Sequence, residues 1–343
     1  MKALALTYRP KTFDDVVEQG AIRRILEYQL ETGEHQNCYL FTGGAGTGKT
    51  TCARIFANEI NKGEGSPIEI DAASNNGVDN IREIINDSKF RSLDSEYKVY
   101  IIDECHMLSN GAWNAMLKLI EEPPAKTLFI FCTTDPQKIP ATILSRVQRY
   151  DFQRISHSSI VDRLIYILDM ENEKEKEKID YTKDALSYLA RIADGGMRDA
   201  ITLLDKCLSF SPIINTENIV EALGIADYHQ MIDLTFSILD GKSIEVSKQI
   251  EKIHLSGVDL KQFLKQYFSF CLDLYKYSMT GDLVNYTSIP SIYEEQLKEL
   301  GDEDYKVIRS FIPELIELNN IIKWETSPRA LIDAAFIIFT EGD

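Results

Sequence analysis

The sequence predicts an α/β domain built on a parallel sheet, followed by two all-helical domains. Short apolar runs alternate with helical patterns through residues 1–150, and from Phe152 onward the pattern is almost entirely helical. A chain of 343 residues is also long for a single hydrophobic core. We therefore predict three domains, covering residues 1–152, 153–212 and 213–343.

Each predicted element follows from its own pattern. Strands are predicted at 37–42, 68–71, 98–103 and 127–133, where short apolar runs end in polar residues or a turn. Helices in the same domain are predicted at 51–60, 78–88 and 112–120. Further helices are predicted at 183–193, 197–210, 216–223, 229–239, 243–255, 260–278, 304–322 and 328–340. The charged run 171–178 has no apolar face, which is typical of an exposed helix end or loop.

Charge and composition narrow the function classes. Residues 1–150 contain 17 Lys and Arg against 20 Asp and Glu, and the remainder contains 20 against 34. Such an acidic chain is a poor candidate for a freestanding nucleic-acid binder. Binding of nucleic acid to a locally basic surface within an assembly is the alternative. No apolar run approaches a membrane span and no signal peptide is recognisable, so we expect a cytoplasmic protein without a membrane partner. The six cysteines are scattered, which supports neither a disulfide framework nor a zinc site.

The run from Gly43 to Thr50 matches the phosphate-binding pattern G-x-x-x-x-G-K-[ST]. Its glycines let backbone N–H groups wrap a polyphosphate, Lys49 can reach the β- and γ-phosphates, and the Thr50 hydroxyl can ligate Mg²⁺. A predicted strand enters the loop and a predicted helix leaves it with its N-terminus toward the phosphates. A glycine-rich turn without a ligand is the alternative. The context favours a nucleoside triphosphate site.

Two carboxylates follow the buried strand at 98–103. In a parallel sheet such a strand end lies beside the phosphate loop. Asp103 is predicted to hold Mg²⁺ through its water shell, and Glu104 to orient or deprotonate the attacking water. A solvent-facing turn is the alternative. Thr134 ends the next strand, where its hydroxyl would lie between Glu104 and the γ-phosphate, and a simple turn residue is equally compatible.

Two arginines are candidates on weaker grounds. Arg146 follows a short apolar run, and Arg198 falls in the first turn of the helix predicted from residue 197. A cation is unfavourable at that end of a helix unless an anion is bound there, so a phosphate facing Arg198 would resolve the conflict. An ion pair with Asp194 or Asp199 is the alternative.

Together these residues resemble the AAA+ clamp-loader ATPases, and in particular the gamma/tau subunits of bacterial DNA polymerase III. The resemblance spans nearly the whole chain and rests on residues 7–17, the phosphate loop, 69–74, 102–109, 117–124, 133–140, 143–146 and 196–200. It implies an AAA+ nucleotide-binding core over 1–152, a helical lid over 153–212 and a helical collar over 213–343 that assembles subunits into pentamers.

The resemblance also implies roles for individual residues. Thr134 would sense the γ-phosphate, Arg198 would be the sensor arginine of the lid, and Arg146 would be a finger that reaches a neighbouring subunit's ATP site. Lys49 and Glu104 complete the expected catalytic set, and Thr50 and Asp103 would hold Mg²⁺, partly through water. ATP contacts are expected from Tyr8, Arg9 and Pro10 against the adenine, and from Gly43, Gly44, Ala45, Gly46, Thr47, Gly48, Lys49, Thr50, Thr51 and Arg198.

The function implied by the resemblance is ATP-dependent loading of a sliding clamp onto primer–template DNA, with the clamp, the DNA and other loader subunits as partners in a homo- or hetero-oligomer. Two alternatives stay open. One is an AAA+ motor on duplex DNA of the Holliday-junction type, against which the helical and weakly basic C-terminal region argues. The other is a scaffold subunit that does not hydrolyse ATP, against which the intact phosphate loop and carboxylates argue.

The sequence departs from the family pattern at several points. Residues 61–67 lead directly to the next strand where cellular gamma/tau subunits carry a four-cysteine zinc module, so no zinc is expected. The long extension of tau beyond the collar is not expected either, and such a compact version is compatible with a phage or other mobile element, with a bacterial or phage-infected cell as the setting. Val147 replaces a common cysteine, and Glu18 replaces a glycine common before Gln19.

The sequence signals for surfaces that bind DNA or the clamp are less specific. The helix start near residues 74–77 resembles the family's DNA-facing region, where Arg82 would meet phosphates. An ordinary exposed helix charge explains Arg82 equally well. Trp113 and Met116 would either offer an apolar face to the clamp or pack in the core.

Overall fold

A computed structural model of the chain describes residues 3–174, 178–224, 228–290 and 293–341, apart from the side chains of residues 284 and 285. Two compact units are present, one formed by Met1–Lys178 with Leu189–Asp205 and the other by Ile179–Tyr188 with Lys206–Asp343. The three-domain division with boundaries at 152 and 212 stays a prediction beside this division into two units.

The first unit contains a five-stranded parallel sheet. Its strands are β1 (Cys38–Thr42), β2 (Ile68–Asp71), β3 (Lys98–Asp103), β4 (Thr127–Thr133) and β5 (Gln148–Asp151), in the order β2-β3-β4-β1-β5. The register pairs Thr42 with Thr133 and Asp71 with Asp103. The ends of β1, β3 and β4 therefore meet at the carboxyl edge of the sheet, where open α/β sheets bind their ligands.

Helices flank this sheet. The first unit contains α1 (Leu4–Thr7), α2 (Gly20–Thr32), α3 (Lys49–Ile60), α4 (Val78–Ser88), α5 (Asn110–Glu121), α6 (Ala141–Leu144) and α7 (His157–Lys174), with 3₁₀ turns at Cys105–Met107 and Pro136–Lys138. The sequence patterns gave no range for α1, α2, α6, α7 or β5. In β5 only one residue in four, Tyr150, is buried, so the strand has no apolar run to reveal it.

Two hydrophobic clusters cover the two faces of the sheet. Alternate side chains of each central strand point to opposite faces, so Tyr39 and Phe41 of β1 join one cluster and Leu40 joins the other. The first cluster packs with α2 and α3, and the second packs with α4 and α5. Trp113 and Met116 belong to the second cluster and are almost fully buried. The structure therefore selects core packing for these two side chains rather than an exposed apolar face for a clamp.

The second unit is mainly helical. It contains α10 (Thr216–Leu223), α11 (Tyr228–Leu239), α12 (Ser243–Leu255), α13 (Leu260–Thr280), α14 (Leu283–Tyr286), α15 (Glu294–Leu297), α16 (Asp302–Ile321), a 3₁₀ turn at Ile322–Trp324 and α17 (Pro328–Glu341). Within it α13 packs along α16, and α12 packs along α17. The division between the units falls inside α8 (Lys183–Ile192) and α9 (Met197–Phe210).

A small parallel pair, β6 (Asp180–Tyr181) with β7 (Ile213–Ile214), also lies in the second unit and was not predicted. The predicted fold class, an α/β core followed by helical segments, is confirmed by these elements. No helix in the described ranges is long and apolar enough to cross a membrane. Residues 175–177 of the charged run 171–178 lie outside the described residues.

Candidate nucleotide-binding site

The phosphate loop follows β1 directly and ends where α3 begins at Lys49. Gly43, Gly46 and Gly48 have φ values of 143°, 69° and 103°, which side chains disfavour. A Cβ atom at Gly43 would lie 2.4 Å from the Phe152 carbonyl oxygen, and one at Gly46 would lie 2.9 Å from a backbone carbon of the segment that precedes α9. Glycine is therefore required at both positions by conformation and by close backbone contact.

Lys49 is buried at the base of this loop, with 6% of its surface exposed. Its Nζ donates to the carbonyl oxygens of Gly43 and Gly44 at 2.8 and 2.7 Å. Burial lowers the pKa of the ammonium group. The hydrogen-bond acceptors that this ammonium group contacts at the loop are uncharged carbonyl oxygens, so the buried cation is well placed to meet an anion there.

Thr50 and Asp103 meet across the sheet edge. The Thr50 hydroxyl donates to the Asp103 carboxylate at 2.8 Å. Thr50 lies in the first turn of α3 and Asp103 ends β3, so two predicted metal ligands from different elements lie together. A hydroxyl and a carboxylate are oxygen donors of the kind that Mg²⁺ takes at phosphate sites. The pair therefore fits the ion that the sequence predicts.

Glu104 lies beside the same edge in a left-handed backbone conformation, with φ of 45°. Its carboxylate accepts a hydrogen bond from the Thr134 hydroxyl at 2.9 Å. His106 Nδ1 lies 3.2 Å from that carboxylate and 3.0 Å from the Thr133 hydroxyl. Sequence reasoning did not include His106 in the site. The available signal in the sequence was its position two residues after Glu104. The 3₁₀ turn at Cys105–Met107 brings its ring back toward the carboxylate.

A cavity of about 670 Å³ joins most of these groups. Its lining includes Asp103, Glu104 and Arg198 among the predicted residues, together with Tyr8, Arg9, Pro10, Ala45, Gly46, Thr47, Gly48, Lys49, Thr50 and Thr51. Gly43, Gly44 and Thr134 do not line the cavity but bond to residues that do. All of these residues belong to the first unit.

Among the charged side chains of the cavity lining, basic ones outnumber acidic ones. Arg9, Lys49, Arg54, Arg163 and Arg198 face it, against three acidic residues. Burial lowers the pKa of the Arg9 guanidinium, and the neighbouring charges of Arg54 and Arg198 lower it further. Repulsion among these cations would be relieved by an anionic ligand. The cavity therefore combines the electrostatics and the backbone loop that a polyphosphate requires.

The two predicted arginines have different surroundings. Arg198 lies in the first turn of α9 and lines the cavity. Asp194 pairs with Arg154 instead, and the described residues show no ion pair between Arg198 and either predicted aspartate. Arg146 is not part of the cavity lining. Its Nε donates to Glu121 at 2.6 Å, and its side chain is 38% exposed.

Three other predictions concern residues outside the cavity lining: the DNA contact of Arg82, the expectation of no zinc, and the substitution at Glu18. Arg82 is exposed and pairs with Asp79 one turn earlier in α4, so its DNA contact stays a prediction. The described residues contain no group of three or more His, Cys, Asp and Glu arranged to hold a metal ion. Glu18, which replaces the expected glycine, has a φ of 59° and accepts hydrogen bonds from the Ser156 N–H at 3.1 Å and the Ser159 hydroxyl at 2.7 Å.

Solved structures with the same fold include the RuvB Holliday junction branch migration motor of Thermotoga maritima. It superposes with a TM-score of 0.51 at 19% sequence identity and covers 68% of this chain and 79% of that chain. At this identity the likeness shows the fold alone. The sheet order, the phosphate loop and this likeness define the class: the chain has the fold of an AAA+ ATPase.

Family models place the chain more closely. The DNA polymerase III delta subunit model matches residues 68–156, the ATPase lid domain of the DNA polymerase III clamp loader subunit matches 159–212, and domain III of the DNA polymerase III subunits gamma and tau matches 214–304. The gamma subunit of DNA polymerase III from Buchnera aphidicola subsp. Acyrthosiphon pisum is 31% identical over 88% of each chain. This chain belongs to the gamma/tau family of DNA polymerase III clamp-loader subunits.

Other relatives are longer than this chain. The tau subunit of Bacillus subtilis DNA polymerase III is 36% identical over 98% of this chain and 62% of its own length. The gamma/tau subunit of Mycoplasma genitalium is 33% identical over 91% of this chain and 54% of its own length. The chain thus spans between about half and two-thirds of these two relatives. Membership of the family confirms the predicted resemblance.

Proposed function

We propose that this chain is a clamp-loader subunit that hydrolyses ATP to open a sliding clamp and close it on primer–template DNA. One observation carries the proposal: in a chain of the gamma/tau family, the phosphate loop, the Thr50–Asp103 pair and the Glu104–Thr134 pair meet at one basic cavity. Phosphoanhydride hydrolysis needs these groups, namely a phosphate cradle, a metal site and a positioned base.

ATP and Mg²⁺ are the proposed ligands of the cavity. Thr50 and Asp103 would hold the ion, directly or through water, and Mg²⁺ would neutralise charge on the phosphate oxygens. Lys49 would donate to the phosphates, which are stronger acceptors than the loop carbonyls that it bonds here. The loop amides and the first turn of α3 would supply the remaining donors.

Glu104 is the proposed base that orients or deprotonates the attacking water. Its carboxylate is fixed by the Thr134 hydroxyl at 2.9 Å, which limits its rotation. A base must be held within hydrogen-bond reach of the proton that it takes, so a rigid carboxylate at this edge favours the role. Thr134 would also sense the γ-phosphate, because its hydroxyl could donate to a phosphate oxygen instead of to the Glu104 carboxylate.

Arg198 and Arg146 are proposed to act at different sites. Arg198 lines the cavity of its own chain and would contact the phosphates from the segment that carries α9. Arg146 is exposed and separate from that cavity, so we propose that it completes the ATP site of a neighbouring subunit. This proposal implies a pentameric homo- or hetero-oligomer in the bacterial cytoplasm. Residues 213–343 would form the collar that joins the subunits, and residues 153–212 would form a lid.

The test is steady-state ATP hydrolysis by the complete loader, with and without its clamp and primer–template DNA. We expect the clamp and primed DNA together to raise the turnover number above that of either alone. A Lys49→Ala subunit in the same assembly provides the inactive control. Equal turnover with and without the pair would contradict the loader function, and stimulation by duplex DNA without a clamp would instead favour a DNA motor.

A further inference from the structure

Tyr8, in the segment before the first strand, is tied to α7 by several contacts. Its hydroxyl donates to the Glu171 carboxylate and accepts a hydrogen bond from Lys174 Nζ at 2.8 Å. The same ammonium group lies 4.8 Å from the centroid of the Tyr8 ring. Arg163 donates to the Tyr8 carbonyl oxygen at 3.0 Å, and the Tyr166 ring packs edge-on at 6.5 Å. One residue is thus held at its hydroxyl, its ring and its backbone.

Two of these partners come from the charged run 171–178, which the sequence predicted to be an exposed helix end or loop. Lys174 is half-exposed, but the Glu171 side chain is only 16% exposed. Burial raises the pKa of the Tyr8 hydroxyl, and the hydrogen bond to Glu171 raises it further, so the hydroxyl stays a neutral donor. Burial acts to raise the pKa of Glu171, but the hydrogen bonds from Lys174 and Tyr8 outweigh it and keep the carboxylate charged.

Tyr8 lines the same cavity as the phosphate loop. With phosphates at the loop, the base of a nucleotide must occupy a part of the cavity that the loop does not form. The rest of the lining includes an apolar set that suits an aromatic base, namely Leu6, Pro10, Val16, Val17, Ile155 and Ile201. The position of Tyr8 therefore shapes the part of the cavity that receives the base.

We propose that Glu171 and Lys174 are positioning residues for the nucleotide base: they fix Tyr8 against α7 and thereby set the affinity of the cavity for adenine nucleotide. Neither residue lines the cavity, so both act through Tyr8. This inference rests on the proposed function, since it names how the same site recognises its nucleotide. It assigns a role in base binding to a charged segment that lies outside the phosphate site.

Equilibrium binding of ATP and of inorganic tripolyphosphate to the full chain tests the role. Tripolyphosphate has no base, so it measures the phosphate loop alone. We expect Tyr8→Phe and Glu171→Gln each to weaken ATP binding about fivefold to tenfold and to leave tripolyphosphate binding unchanged. The double variant is expected to bind ATP no more weakly than Tyr8→Phe alone, because Tyr8→Phe removes the hydrogen bond that Glu171→Gln weakens by taking away the charge of the acceptor.

Glu173→Gln is the matched control, because it makes the same change of charge in the same turn of α7 at an exposed side chain. It is expected to bind ATP like the wild-type chain. Unchanged ATP affinity in Glu171→Gln would overturn the inference, and so would an equal loss of ATP and tripolyphosphate binding. Lys174→Met gives a second variant if Glu171→Gln does not fold, as judged by thermal denaturation. A wild-type chain that binds no ATP would instead contradict the proposed function itself.

Discussion

Gly43 is the position of the phosphate loop where an added methyl group is expected to destabilise the core most. Its φ of 143° is unfavourable for an L-residue, and a Cβ atom would lie 2.4 Å from the Phe152 carbonyl oxygen. The Phe152 N–H donates to the Thr42 carbonyl at 2.7 Å, so that backbone cannot retreat without disturbing the sheet edge. Backbone strain of this kind costs about 1–3 kcal/mol. Overpacking adds about 1–3 kcal/mol, so we expect Gly43→Ala to lower the free energy of unfolding by about 2–6 kcal/mol.

Two other glycines separate strain from steric conflict. Gly48 has a φ of 103°, but a Cβ atom there would meet no atom within 4 Å. Gly48→Ala is therefore expected to show the strain alone, about 1–3 kcal/mol. Gly44 has no positive φ, and its Cβ would lie 3.7 Å from the Thr47 methyl group, an ordinary contact. Gly44→Ala is expected to change the free energy of unfolding by less than about 1 kcal/mol.

Urea denaturation followed by tryptophan fluorescence measures the series. Trp113 is 2% exposed in the core of the first unit, whereas Trp324 is 88% exposed. The emission shift on unfolding therefore reports the core, and a Trp324→Phe background removes the second signal. Linear extrapolation with a constant slope gives the differences between variants. If Gly43→Ala were no less stable than Gly48→Ala, the steric reasoning would be refuted.

Three further predictions concern the site and the core. Thr134→Val removes the hydroxyl that holds the candidate base, so the turnover number for ATP should fall about 10²-fold at unchanged affinity, and full turnover would contradict the role. Arg146→Ala should leave the ATP affinity of the isolated chain unchanged and lower the turnover number of the assembled loader about 10³-fold. An unchanged turnover number in the assembled loader would show that this arginine does not act in trans. Hydrogen bonds from Lys98 and then Tyr100 lower the pKa of Asp87 below its ordinary 3.8. The stability that it contributes is therefore present above about pH 4 and lost as the pH falls through the lower folded-state pKa. Asp87→Asn should flatten this acid loss in urea denaturation between about pH 5 and 2, and an unchanged loss would exclude Asp87 as its source.

Much of the fold could be predicted because its patterns are local. The bounds of α4, β3 and β4 match their predicted ranges, since a continuous apolar run or a helical period marks each of them. β5 shows the limit. Its sequence is mostly polar, and it forms a strand because Tyr39 to Thr42 of β1 offer backbone partners beside it. Edge pairing of this kind leaves little trace in the sequence of the edge strand itself.

The sequence by itself determined the phosphate loop and the carboxylates that follow β3, because the spacing of these residues carries their chemistry. Only the tertiary structure decided that Trp113 is a core residue, that Asp194 pairs with Arg154 and that Arg198 faces the cavity. It also brought Tyr8 against a helix 163 residues further along the chain. Such contacts depend on how separate elements pack, and no local pattern of residues specifies that packing.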